Sequence, residues 1–147
     1  MHRYQILVEY VGTYFHGWQA QPNSRTVQKT IEQKISKVIN EKIKLIGSGR
    51  TDTGVHANEQ SAHFDSKKKI ENLDKFLKSI NFFLNDDLIS LLKIKKKNLN
   101  FHARHSAKMR IYKYVIFNRL SKPSIYRERG WHIINKININ LMRKGAK

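Results

Sequence analysis

The chain has 147 residues, enough for a domain with a hydrophobic core and above the size that needs disulfide or metal staples. Its 29 Lys and Arg face 11 Asp and Glu, giving a formal charge of +18, and it contains no cysteine. The lack of thiols excludes disulfides, thiolate nucleophiles and cysteine-ligated zinc, while the charge points to a polyanionic partner, nucleic acid ahead of anionic membrane. The cytoplasm is the default compartment. No apolar run is long enough to span a bilayer, and residues 1–10 lack the layout of a signal peptide, so no membrane partner is expected. Lys, Ile and Asn are all abundant, which accounts for part of the charge by composition alone, but the scarcity of acids adds to it.

Residues 4–11 alternate as a half-buried strand, with Ile6, Val8 and Tyr10 on one face. The next stretch, Gly12-Thr13-Tyr14-Phe15-His16-Gly17-Trp18-Gln19, is a loop with three aromatic residues between two glycines. Such rings either pack under a sheet, the commoner fate, or line a site for bases. Thr26 is placed to cap a helix in which Val27, Ile31, Ile35, Val38 and Ile39 recur at helical spacing. Residues 42–46 and 60–64 read as short strands, leaving residues 50–59 as their connection. Lys67-Lys68-Lys69 is a solvated basic patch. Asn72 offers a cap for a second helix carrying Leu73, Leu77, Ile80 and Leu84 on one stripe, and residues 88–94 read as a strand whose end is charged by the lysines of 93–97. The order β-α-β-β-α-β predicts an α+β fold, an antiparallel sheet with helices on one face in the ferredoxin-like arrangement. Beyond it lie a polar connection, a strand over residues 110–117 with Tyr112, Tyr114 and Ile116 on one face, a weaker strand over 126–134, and a helix starting at residue 139.

Between the second and third strands lies Gly47-Ser48-Gly49-Arg50-Thr51-Asp52-Thr53-Gly54-Val55-His56-Ala57, which holds three of the seven glycines. Two readings are open for it: an ordinary Gly-rich turn with a surface Arg–Asp pair, or a functional loop leaving a strand. Other chemistries are poorly supported. His102 and His105 sit at i, i+3 outside any convincing helix, so no metal site is expected. The G-x-S-x-G elbow, the lysine-bearing phosphate loop and the dinucleotide fingerprint are all absent from the sequence. What remains is Asp52, a carboxylate suited to act as nucleophile or general base if held ionised and aimed. In an extended segment Arg50 points the same way and is placed to pair with it, or to grip a phosphate instead. Tyr112 offers a ring to stack on a base, though a core tyrosine is the plainer reading.

These residues resemble the tRNA pseudouridine synthase A family in five motifs that run in the family's order across residues 9–114. They are Glu9-Tyr10-x-Gly12-x-x-Phe15-x-Gly17-Trp18-Gln19, Thr26-Val27-Gln28, Gly49-Arg50-Thr51-Asp52-x-Gly54-Val55-His56-Ala57, Phe101-His102-Ala103-Arg104 and Arg110-x-Tyr112-Lys113-Tyr114. The third is the most specific. The resemblance implies half of a pseudouridine synthase fold that isomerises uridine in the anticodon arm of tRNA, with neither cofactor nor metal. It places Asp52 at the essential aspartate, Arg50 at the arginine that contacts and helps extrude the target, and Tyr112 at the tyrosine that stacks on the flipped uracil. It also implies a homodimer when full length, and a second half beyond Lys147. The chain is then an N-terminal half or truncated form, divided into a catalytic-loop subdomain over 1–97 and central strands over 98–147. The alternatives are an inactive fragment or a non-catalytic RNA-binding module, since the RNA-recognition motif shares the βαββαβ order. That module's aromatic-rich signature does not occur in the sequence.

Overall fold

The computed structural model describes residues 1–146, and the backbone gathers into two units, Met1–Lys108 and Met109–Lys147. The first unit contains β1 (His2–Tyr10), α1 (Val27–Ile39), β2 (Leu45–Gly47), β3 (Ala57–Ser66), α2 (Leu73–Leu84) and β4 (Ile89–Lys97). Its sheet has the order β2-β3-β1-β4, and every neighbouring pair is antiparallel. This is the α+β arrangement expected from the sequence.

Alternation in β1 sends Tyr4, Ile6, Val8 and Tyr10 into the core beneath the helices. Val27, Ile31 and Ile35 of α1 are fully buried against that face, as are Ile80 and Leu84 of α2. Each such aliphatic side chain contributes about 1.5–3 kcal/mol relative to exposure. Phe76 joins the buried stripe of α2, while Leu73 and Leu77 are only partly covered. Asn72 caps α2 as expected, its side chain accepting from Lys75 N at 2.8 Å.

Thr26 does not cap α1 with its side chain. The first amides of the helix donate to the aromatic loop instead, Val27 N to Gly17 O at 3.2 Å and Gln28 N to Trp18 O at 3.0 Å. The loop's backbone therefore does the capping that a hydroxyl does elsewhere. Two side chains of α1 then reach β2: Glu32 Oε1 accepts from Leu45 N at 2.8 Å, and Gln28 Nε2 donates to Leu45 O at 2.9 Å.

β3 is longer than the sequence predicts, so the connection from β2 is residues 48–56. β4 also runs on through Lys97, which places the lysine run inside an edge strand. A register shift in β4 pairs Leu7 with Lys93 but Val8 with Leu91, so Leu92 is an extra residue. Asn81 of α2 holds Leu91 at that point from both sides, donating to its carbonyl at 2.9 Å and accepting from its amide at 2.7 Å.

The sheet face away from the helices is partly covered by residues 98–108. Arg3 donates to both oxygens of Asp65 at 2.7 Å and to the carbonyls of Leu99 and Phe101 at 2.6 and 2.7 Å. Ala103 is buried, and its amide donates to Nδ1 of His63 at 3.1 Å. Burial, with Arg3 and His102 nearby, pushes His63 down to about 4.

In the second unit β5 (Ile116–Asn118) pairs in parallel with β6 (Trp131–Ile133), and α3 (Ile139–Gly145) follows, capped by the side chain of Asn138. Asn118 Nδ2 donates to the carbonyls of Ile133 and Asn135, and its Oδ1 accepts from Ile137 N. The strand expected over residues 110–117 is confined to its end. Residues 110–114 have no ladder partner among the described residues, the Val115 carbonyl accepts from Trp131 N at 2.8 Å, and Ile111, Tyr112 and Tyr114 are 70–91 % exposed. Alternation alone does not make a strand when its backbone groups have no neighbour to bond. The strand expected over 126–134 shrinks to Trp131–Ile133 for the same reason, with turns at residues 125–128. Position 147 of the expected C-terminal helix lies outside the described residues.

Candidate active site

The window after β2 is built as a pinned loop. Two backbone groups and one side chain of residues 51–56 meet the aromatic loop: Trp18 N donates to Thr51 O at 3.1 Å, Gly54 N to Phe15 O at 3.4 Å, and Gly12 N to His56 Nδ1 at 3.0 Å. Phe15 and Trp18 are buried, so most of this aromatic loop serves as a foundation, and Tyr14 alone of its three rings is largely exposed. Gly12 is required by the approach itself, because a Cβ there would lie 1.9 Å from the Val55 carbonyl oxygen. A turn closed by Val55 N donating to Asp52 O at 3.2 Å reverses the chain at Gly54, where φ is +80°.

From below, the core holds the loop through one buried phenol. The Tyr10 hydroxyl donates to Gln60 Oε1 at 3.2 Å, which leaves Thr51 Oγ1, 2.8 Å away, to donate to the Tyr10 oxygen. Gln60 Nε2 completes the path by donating to Gly49 O at 3.0 Å. The clamp thus grips the backbone on one side of Arg50 and the side chain on the other. Burial raises the Tyr10 pKa, and the Thr51 bond opposes it, so Tyr10 is a neutral phenol at ordinary pH.

Asp52 and Arg50 stand on this platform, both exposed. Among the described residues no ion pair joins them, contrary to the pairing expected for an extended segment. The turn beginning at Asp52 breaks the two-residue alternation that would align them. The geometry therefore presents a carboxylate and a guanidinium side by side along the chain, each available to a ligand. Tyr112 belongs to the second unit and is 70 % exposed outside any strand. Among the described residues no group of three or more His, Asp and Glu is arranged to hold a metal ion, and no helix is long and apolar enough to cross a membrane.

The sequence marks the loop but not its clamp. Tyr10 read as a core residue and Gln60 as part of a strand, and both are. Their partners lie 41 and 50 residues away, and one-sequence periodicity carries no sign of such contacts.

A family model described as tRNA pseudouridine synthase matches residues 6–106. A protein named tRNA pseudouridine synthase A from Pelagibacter ubique (strain HTCC1062) is 67% identical over 147 residues, covering 100% of this chain and 60% of that protein. The proteins of the same name from Thermoanaerobacter sp. (strain X514) and Neorickettsia sennetsu (strain ATCC VR-367 / Miyayama) are 44% and 40% identical, over 99% of this chain and 59% and 60% of their own lengths. The chain spans about three-fifths of the length of these curated relatives.

Proposed function

We propose, because the chain belongs to the tRNA pseudouridine synthase family, that it isomerises uridine to pseudouridine in the anticodon arm of tRNA, with Asp52 as the catalytic carboxylate. In this reaction the N1–C1′ bond breaks, the uracil turns, and C5 bonds to C1′. The hydrogen leaves C5 as a proton, and N1 gains one. Asp52 serves as nucleophile or general base, Arg50 holds or replaces the extruded nucleotide, and Tyr112 stacks on the uracil. Neither cofactor nor metal takes part in this reaction.

The observation that carries the reading is the pinned loop. Residues 49–57 fall inside the matched region, are fixed by the Tyr10–Gln60 clamp and the aromatic loop, and leave the Asp52 carboxylate exposed without an ion-pair partner among the described residues. A rigid mount with a free acid at its tip suits chemistry on a base that has left the stack, a step costing a few kcal/mol. The +18 charge supports a phosphate-tracking partner whose binding weakens with salt. The same reading expects cytoplasmic work on tRNA and, for a full-length protein of the family, a homodimer.

The test is tritium release from tRNA labelled at uridine C5. Asp52→Asn should lower release by at least ~10²-fold, with RNA affinity retained; release that survives the substitution overturns the role of Asp52. A second reading is RNA binding without turnover, which accounts for the +18 charge without using Asp52. Parent chain that binds tRNA yet releases no tritium would select it.

A further inference from the structure

Edge strand β4 carries Lys93, Lys95 and Lys97 at alternate positions, opposite Leu7, Gln5 and Arg3 of β1. All three side chains therefore rise from the sheet face away from the helices, about 6.6 Å from one to the next along the strand. Lys93 and Lys95 are exposed, and with Lys97, Gln5 and Leu7 they line a shallow depression of about 130 Å³. Among the described residues no carboxylate forms an ion pair with any of the three. Asp65, the acid in the same cross-strand row as Lys97, is occupied by the Arg3 fork. Lys97 rests over the Phe101 ring at 5.1 Å. Like charges in a row repel one another, so the arrangement is disfavoured in the free protein and relieved by a ligand with regularly spaced negative charge.

We propose that this lysine ladder is a binding track for the phosphodiester backbone of RNA, separate from the Asp52 loop. Its repeat suits a chain of successive phosphates, each met by a point-charge ammonium that carries no base preference. It runs ~13 Å at the usual strand rise, from the Arg3 row to the Leu7 row, and points along the sheet toward the end where Tyr10 holds the loop. The inference rests on the reading of the chain as an RNA-acting protein, but it is tested by binding and can stand or fall apart from catalysis.

The experiment titrates fluorescein-labelled anticodon-arm RNA against the parent chain, Lys93→Gln/Lys95→Gln/Lys97→Gln, and a charge-matched control, Lys37→Gln/Lys75→Gln/Lys78→Gln, whose sites lie on the helices of the opposite face. The ladder variant should bind about 10–100-fold more weakly and lose about two to three units of the slope of log K against log salt. The control should stay within about threefold of the parent, and the Lys93→Arg/Lys95→Arg/Lys97→Arg variant should bind like it. Equal losses in ladder and control would reduce the effect to net charge, and unchanged binding in the ladder variant would remove the site; either result overturns the proposal. Weak binding together with normal tritium release at saturating RNA would support it. Loss in the arginine variant as well would overturn it, because charge would then not be what the strand supplies.

Discussion

Replacing Tyr10 with Phe tests whether the loop is held from the core. The ring stays, with its contact to Trp18 at 5.9 Å between centroids, so no cavity opens. What goes is one hydroxyl with two partners. Thr51 is half-exposed and can turn to water, whereas Gln60 is 8 % exposed and its carbonyl loses the donor it had. An orphaned buried acceptor costs about 1–3 kcal/mol, and each kcal/mol lowers the melting temperature of a chain of this size by roughly 2–4 °C. The clean measurement is a double-mutant cycle of Tyr10→Phe and Thr51→Val by denaturant unfolding, with an expected coupling of at least ~0.5 kcal/mol. In the tritium assay Tyr10→Phe should lower turnover by about 10–100-fold through displacement of the loop, while RNA affinity holds. Additivity of the two changes within about 0.3 kcal/mol, together with parent-like turnover, would refute the clamp.

Gly12→Ala should be harsher, because the new Cβ meets backbone, 1.9 Å from the Val55 oxygen and 2.5 Å from its carbon. A loss of about 1–3 kcal/mol or more is expected in thermal unfolding, and a change under ~0.5 kcal/mol would show that the two loops part freely. Acid should weaken the first unit before its carboxylates titrate. His63 falls to about 4 in the folded protein, so between pH ~6.5 and that value the unfolded chain binds a proton that the native state refuses. Stability is then full above pH ~6.5 and drops as pH falls, by about 2 kcal/mol between pH 7 and 5. His102, lowered chiefly by burial, adds in the same direction. His63→Gln, which keeps an acceptor for the Ala103 amide, should flatten that limb of the unfolding profile; an unchanged slope would assign it elsewhere.

The sheet and its two helices were legible because each buries one face and leaves the other wet. Ile6, Val8 and Tyr10 show the two-residue period, and Val27, Ile31 and Ile35 the helical one. The same logic misled at residues 110–117, where alternation is just as clear but the first backbone bond to a neighbouring strand is that of the Val115 carbonyl, which accepts from Trp131 N at 2.8 Å. Position within the candidate site was legible for Asp52 and Arg50 from local composition, glycine next to charge. The parts that depend on distant contacts were not. Nothing near His63 in the chain announces that residues 98–108 will cover it, and nothing near Thr26 announces that carbonyls of Gly17 and Trp18 will do its capping.

The extra residue at Leu92 has an effect on surface chemistry out of proportion to its size. Below it Ile89 and Leu91 point to the core; above it Ile94 does. If the same residues, Leu92 included, paired in regular register with no bulge, the strand's alternation would turn Lys93, Lys95 and Lys97 inward and Ile94 out to water. The carboxamide of Asn81, closed on both backbone groups of Leu91, sets the phase at which the strand restarts. One neutral side chain on a helix thereby decides which side of the sheet is electrically positive.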